Sequence, residues 1–202
     1  MSDRNSEPKL DLDLERVEAA SARGAALQFP RTWLSDIIEA VIDFFGFLVN
    51  WIWIVLVLVI VLNVVGRYAF GVNYVWVEEM QWHMYAVGFM LGIGYALRHD
   101  AHVRVDVVAM NLRNRTRAWI ELFGLLLLVA PVVYLIVSYA IPFTETSFRR
   151  GERSSAPGGL ANRWAIKGVI VVAFVYLGLA AFARVVRICS YLFGFPRARA
   201  ER

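Results

Sequence analysis

Cysteine and histidine are scarce in this chain. Its 202 residues include one cysteine, Cys189, and three histidines. A single cysteine excludes an intrachain disulfide. Only His83 lies inside a long apolar run, whereas haem in a membrane cytochrome needs paired histidines on separate helices. His99 and His102 lie in the charged segment RHDAHVRVDVV, which resembles a metal site only superficially because no further ligands cluster nearby. We therefore predict no cofactor and no metal.

Sequence motifs of catalysis are also missing. The chain has no Gly-x-Ser-x-Gly elbow, phosphate loop, dinucleotide fingerprint or zinc-protease helix. It also lacks the internal repeats from which secondary carriers build a substrate site at mid-membrane depth. We predict a non-enzymatic accessory subunit. The alternative is a membrane-anchor subunit of a quinone-linked redox complex, which bound haem in the purified chain would support.

Charged residues make up only 19% of the chain and hydrophobic residues 59%. Such a chain is too apolar to hide its surface inside one soluble core. Crossing the hydrocarbon region as a helix takes about 20 apolar residues, and four uncharged runs approach that length. They are Phe44 to Gly66, Met80 to Leu97, Leu122 to Thr144 and Gly168 to Ala183. We predict an all-α integral membrane protein with four transmembrane helices, at about 44–66, 77–97, 119–141 and 166–189.

The segments around these spans are polar or amphipathic. Residues 1–32 mix acids and bases with little apolar content, which predicts a disordered cytoplasmic tail before a membrane domain of residues 33–195. Residues 196–202 form a second cytoplasmic tail. Asp36, Glu39 and Asp43 share one face of a helix ahead of the first span. This amphipathic lead-in is predicted to lie in the headgroup plane, or else to extend the helix into water.

Two features inside the spans concern packing. Pro131 is expected to kink the third span, because proline lacks the amide hydrogen of the helix ladder. Gly88, Gly92 and Gly94 give the second span a small-residue face for close helix contact.

The arginines and lysines predict the orientation, because cytoplasmic flanks retain positive charge. Three segments hold fifteen of the 21 basic residues: the first 35 residues, the loop 98–118, and the C-terminal segment from Arg184. Both termini and the middle loop are therefore predicted to face the cytoplasm. Anionic lipid headgroups explain the net charge of +4, so no nucleic-acid partner is expected.

The two remaining connections carry the polar residues of most interest. Glu78 and Glu79 begin the second span, where carboxylates complement the helix dipole; alternatively, one of them pairs with Arg67. The second connection, SFRRGERSSAPGGLANRW, is basic and glycine-rich. It is predicted to dock a periplasmic protein through Arg149, Arg150 and Arg153, or else merely to link two helices.

The segment WVEEMQWHMYAVGFMLGIGYALRHDAHVRVDVV is similar to the central motif of the DctQ family, the small membrane subunit of tripartite ATP-independent periplasmic (TRAP) transporters. The resemblance covers about residues 35–190. The matching polar positions are Arg67, Glu78, Glu79, Arg98, His102, Arg104 and Asp106. The resemblance implies that these residues are structural or lie at a subunit interface.

The resemblance also implies a sodium-coupled uptake system in a bacterial inner membrane. A periplasmic binding protein captures an organic anion and delivers it to a large, elevator-type subunit of the DctM type. The small subunit braces that large subunit, helps dock the binding protein and contacts membrane lipids. The implied docking loop contains Arg149, Arg150, Glu152, Arg153 and Ser154. With Gly158, Gly159 and Leu160 it resembles the version found in systems for 2-oxo acids and aromatic acids.

Overall fold

A computed structural model describes residues 29–100 and 112–195 of the chain. Four long helices make up most of these residues: α1 at Trp33–Phe70, α2 at Val75–Arg98, α3 at Asn114–Arg149 and α4 at Trp164–Phe193. Within the described ranges there is no β-strand. The all-α prediction is thus confirmed.

Three of the helices, α1, α3 and α4, have both the length and the apolar composition of a membrane span. α2 has 24 residues, or about 36 Å at 1.5 Å per residue, which exceeds the roughly 30 Å of hydrocarbon. It is less apolar than the others because its first turns carry Glu78, Glu79, Gln81 and His83.

α1 begins at a capping box and runs 38 residues without interruption. The Ser35 amide donates to the Thr32 hydroxyl and the Thr32 amide donates to the Ser35 hydroxyl. The expected lead-in is therefore not a separate helix. A buried stripe that includes Ser35, Glu39, Ile42 and Gly46 continues from the lead-in into the span, and packing along this stripe keeps the two parts in line.

The predicted tail of residues 1–32 overlaps the packed structure at its last four residues. Phe29 is 4% exposed and Thr32 is 1% exposed. The Phe29 ring meets the Tyr191 ring edge to face, with centroids 5.7 Å apart. Residues 1–28 and 196–202 lie outside the described residues, so the tails predicted there stay predictions.

α3 contains a π-helical segment at Leu125–Val129, which ends two residues before Pro131. The Ala130 amide bonds to the Leu125 carbonyl, five residues back. In a regular α-helix the proline ring would collide with the carbonyl four residues earlier, and the wider π turn accommodates it. The irregularity expected at Pro131 therefore takes the form of a π segment.

α4 is the central helix and contacts the other three, while α3 packs mainly on α4. The buried face of α4 is rich in alanine: Ala173, Ala180, Ala181 and Ala183. Small residues let membrane helices approach closely without a hydrophobic driving force between them.

Glycine notches filled by tyrosine rings join α1, α2 and α4. A Cβ at Gly46 of α1 would lie 2.1 Å from the Tyr95 ring of α2, and a Cβ at Gly94 of α2 would lie 2.4 Å from the Tyr176 ring of α4. The Tyr176 hydroxyl then donates to the Ile42 carbonyl of α1 at 2.8 Å. The predicted glycine face of α2 is used at Gly94 and, against Trp53, at Gly88, but Gly92 has open space beside it.

Candidate functional site

Charged side chains from all four helices meet at the end of the bundle where residues 29 and 195 lie. We refer to this group as the Glu39 network. Its members are Glu39, Asp43, Arg98, His99, Asp100, Glu121, Arg184 and Arg187.

Glu39 is the most deeply buried carboxylate of the network, with a side chain only 5% exposed. One carboxylate oxygen lies 2.8 Å from Arg98 Nη2 of α2, and the other lies 3.0 Å from Arg187 Nη1 of α4. Arg187 also donates to the Phe29 carbonyl at 2.6 Å. Through these contacts a single carboxylate ties α1 to α2 and α4.

Arg184 extends the network to α3. Its Nε donates to the Glu121 carboxylate, and its Nη2 lies 2.7 Å from Asp100 Oδ1. The guanidinium also lies 5.6 Å from the centroid of the Phe29 ring, within cation–π range. Buried charges need a partner of opposite sign, and each arginine of the network is paired with at least one carboxylate.

Asp43 and His99 form a half-exposed pair at the edge of the Glu39 network. Asp43 is 44% exposed and accepts contacts from His99 Nε2 at 3.0 Å and from Arg98 at 3.5 Å. Together these ion pairs connect all four helices at this end of the bundle. In the described ranges no group of three or more His, Cys, Asp or Glu side chains could hold a metal ion.

At the opposite end of the bundle, Glu79 binds the connection between α3 and α4. One of its oxygens accepts a hydrogen bond from the Ser154 hydroxyl, and the other accepts one from the Leu160 amide at 2.6 Å. We call these contacts the Glu79 clamp. The neighbouring Glu78 instead lies 3.7 Å from Arg67 on α1, with both side chains more than one third exposed.

Glu152 gives the same connection a second attachment. Its carboxylate lies 2.5 Å from the Lys167 ammonium, which also lies 4.0 Å from the centroid of the Phe143 ring. The hydrogen bond from Lys167 lowers the pKa of the Glu152 carboxyl below its ordinary value of 4.5.

The arginines of the connection differ in their availability. Arg149 forms an i,i+4 ion pair with Glu145 at 2.5 Å. Arg150 and Arg153 are exposed and form no ion pair with any residue of 29–100 or 112–195. The positive charge available to another molecule therefore comes from these two residues more than from Arg149.

The sequence pointed to several of these residues but not to their partners. Of the two glutamates considered for Arg67, Glu78 pairs with it and Glu79 binds the connection. Arg98 pairs with Glu39. His102, Arg104 and Asp106 lie outside the described residues, so their predicted roles stay predictions.

The main residues that sequence reasoning missed are Glu39, Glu121, Arg184 and Arg187 as one buried network. A signal did exist, since Asp36, Glu39 and Asp43 follow a helical spacing and the two arginines are three residues apart. Their complementarity becomes visible only when α1 and α4 are packed together. His83, the histidine of the second apolar run, contacts the Glu79 carbonyl through Nδ1 at 2.6 Å.

Comparison with known proteins connects this arrangement to membrane transport. Residues 56–190 match the family of tripartite ATP-independent periplasmic transporters, DctQ component. The chain is also similar to the sialic acid TRAP transporter permease protein SiaT of Haemophilus influenzae (strain 86-028NP), with 25% identity over 120 residues. That stretch covers 59% of this chain and only 19% of the relative, so this chain corresponds to a small part of a longer permease.

Proposed function

The chain belongs to the DctQ family of tripartite ATP-independent periplasmic transporters, and on that premise we propose that it is the small permease subunit of a sodium-coupled transporter for organic anions. In this role it braces a large, elevator-type membrane subunit of the DctM type and helps dock a periplasmic substrate-binding protein. The relative is named for sialic acid, which is itself a carboxylate. We propose carboxylates as the substrate class.

We further propose four membrane spans, with α2 as the second, in a bacterial inner membrane. Both termini would face the cytoplasm, as the distribution of basic residues favours. The Glu39 network would then lie at the cytoplasmic end, and the connection between α3 and α4 would lie on the periplasmic side. Single cysteines at Arg31 and Arg153, each in a chain with Cys189→Ala, test this orientation: a membrane-impermeant thiol reagent applied to intact spheroplasts should label only position 153. Labelling of position 31 alone would reverse the topology.

The Glu39 network is the observation that carries the bracing role. An elevator needs a stationary frame, and a frame must resist relative movement of its own helices. Ion pairs from Glu39 to two other helices supply this resistance, because separating the helices would leave charges buried and unpaired.

Reconstitution tests the bracing role directly. The large subunit is placed in proteoliposomes with or without this chain, and uptake of a radiolabelled carboxylate is measured with saturating binding protein and an inward sodium gradient. We expect uptake to require this chain. Full uptake by the large subunit alone would contradict the proposal, and unchanged uptake without sodium would contradict sodium coupling.

Docking rests on the exposed arginines. We expect neutralising Arg150 and Arg153 together to reduce uptake about tenfold at low binding-protein concentration and to weaken its dependence on salt, because long-range attraction to an acidic partner is lost. Arg149→Gln is the matched control, since Arg149 is already paired with Glu145. If the double variant keeps the wild-type salt dependence, the connection is only a linker.

A further inference from the structure

The connection between α3 and α4 has a closed backbone geometry. The Ser154 amide donates to the Leu160 carbonyl at 3.0 Å, and the Arg163 amide donates to the Glu152 carbonyl at 3.1 Å. These bonds pair the two sides of the connection, so that residues 155–159 project beyond them as a small loop. We call residues 155–159 the tip. Gly158, with φ of +76°, allows the left-handed turn in it.

The Glu79 clamp binds this loop at its base, which is formed by Ser154 and Leu160. Ser154 and Leu160 are joined to each other through the backbone and also share the Glu79 carboxylate, one residue on each oxygen. A carboxylate bound to two donors in this way makes strong, directional hydrogen bonds. Because Glu79 belongs to α2, the clamp fixes the loop to a helix that is distant in the sequence.

Gly159 completes the clamp by leaving room for it. A Cβ at this position would lie 2.6 Å from Ser154 Cβ and 2.8 Å from Glu79 Oε1. These distances are well inside van der Waals contact, so any larger residue would push the serine and the carboxylate apart. The site is thus assembled from three separate parts of the sequence that fit one another.

Several residues next to the Glu79 clamp, in the tip and beside it, are exposed. Ser155, Pro157 and Gly158 are exposed, and so is Arg153 beside them. By contrast, the acidic side chains nearby are occupied: Glu79 holds the loop base and Glu152 holds Lys167. An approaching molecule would therefore meet a small, shaped surface carrying positive charge.

We propose that Glu79 is a positioning residue, which holds the loop in one shape and so presents Arg153 and the tip to a soluble binding protein that carries a complementary acidic surface. This inference rests on the proposed docking function. Binding to a preordered loop avoids the entropy loss of ordering it during association, so the clamp would strengthen docking without touching the partner itself.

Hydrogen exchange of the intact membrane complex tests the positioning step without any transport. Glu79→Ala should speed exchange of the Ser154 and Leu160 amides about 10- to 100-fold, because both side-chain contacts to the loop base are lost. Glu78→Ala is the matched control, since Glu78 contacts Arg67 and not the loop. Equal exchange in the two variants would overturn the inference.

Gly159→Ala provides a second variant that keeps every charge and leaves α2 unchanged. It should also speed exchange at the loop base, by displacing Ser154 from Glu79. If Glu79→Ala fails to assemble with the large subunit, this variant decides the question alone. Slow, wild-type exchange in Gly159→Ala would contradict the described clamp.

Uptake measurements then test the consequence for docking. We expect Glu79→Ala to raise the binding-protein concentration that gives half-maximal uptake about tenfold, while the rate at saturating binding protein stays near the wild-type value. A loosened loop with an unchanged half-maximal concentration would refute the positioning role. The Arg150 and Arg153 neutralisation distinguishes the two proposals: if it also has no effect, docking by this connection fails as well.

Discussion

Glu39 and Asp43 offer a matched comparison, since both are acids on one face of α1 and both contact Arg98. They differ in burial, because the Glu39 side chain is 5% exposed and the Asp43 side chain is 44% exposed. The perturbation is Glu39→Gln, which keeps the shape of the side chain and removes its charge. Asp43→Asn is the equivalent change at the rim.

The structure sets the size of the expected effect. Removing one partner of a buried ion pair costs about 3–5 kcal/mol, because the remaining charge stays desolvated. Arg98 would keep Asp43 at 3.5 Å and Arg187 would keep the Phe29 carbonyl at 2.6 Å. We therefore expect Glu39→Gln to lose about 3 kcal/mol, at the lower end of that range. For Asp43→Asn we expect roughly 0–1 kcal/mol, as for exposed pairs.

The assay is reversible unfolding of the purified chain in mixed micelles, titrated with sodium dodecyl sulfate and followed by the fluorescence of its seven tryptophans. A third variant, with methionine in place of Glu39, Arg98 and Arg187, should regain much of the loss, because it leaves no buried charge unpaired. Equal losses in Glu39→Gln and Asp43→Asn would refute the reasoning. So would a loss below about 1 kcal/mol in Glu39→Gln, the range of exposed pairs.

Two further predictions concern packing and pH. Gly94→Ala should lower the free energy of unfolding by about 1–3 kcal/mol, because its Cβ would lie 2.4 Å from the Tyr176 ring. In the same assay Gly92→Ala should show no loss, since Gly92 has open space beside it. Equal losses in the two variants would contradict the close packing of Gly94 against Tyr176. Glu152 has a lowered folded-state pKa, so its contribution to stability is present above about pH 4.5 and is lost as pH falls through the folded-state value. The protection of amides in the connection, measured as their exchange rate relative to the intrinsic rate at the same pH, should therefore fall in acid in the wild-type chain and change less with pH in Glu152→Gln. An identical acid response in both would exclude this carboxyl as the cause.

Much of the fold could be predicted from the sequence because hydropathy is a local property. Each long apolar run became part of a helix, and the uncharged third run, which contains Pro131, became part of α3 with a π segment before that proline. Helix ends were less accurate. The amphipathic lead-in before the predicted first span is part of the same helix, which starts at Trp33, and the sequence left open whether the two parts would be continuous.

The candidate sites were only partly predictable. Glu79 was noted together with Glu78 as a carboxylate at a helix start, but its partners Ser154 and Leu160 lie 75 and 81 residues away. The sequence alone also does not show which of Glu78 and Glu79 pairs with Arg67. Adjacent helical residues point about 100° apart, so the rotation of α2 in the bundle decides which one faces α1 and which one faces the connection.

By itself, the sequence determined that this protein is helical, that it has helices long and apolar enough to cross a membrane, and that it carries the polar pattern of the DctQ family. These properties follow from the composition of the chain and the spacing of its apolar residues, because a segment in the hydrocarbon core must form its backbone hydrogen bonds internally, as a helix does. Tertiary structure alone decided which charges meet. Glu39 pairs with Arg98 and Arg187, and Glu79 accepts a hydrogen bond from the loop base. Such contacts act over about 3 Å, and only helix packing brings residues so far apart in the sequence that close together.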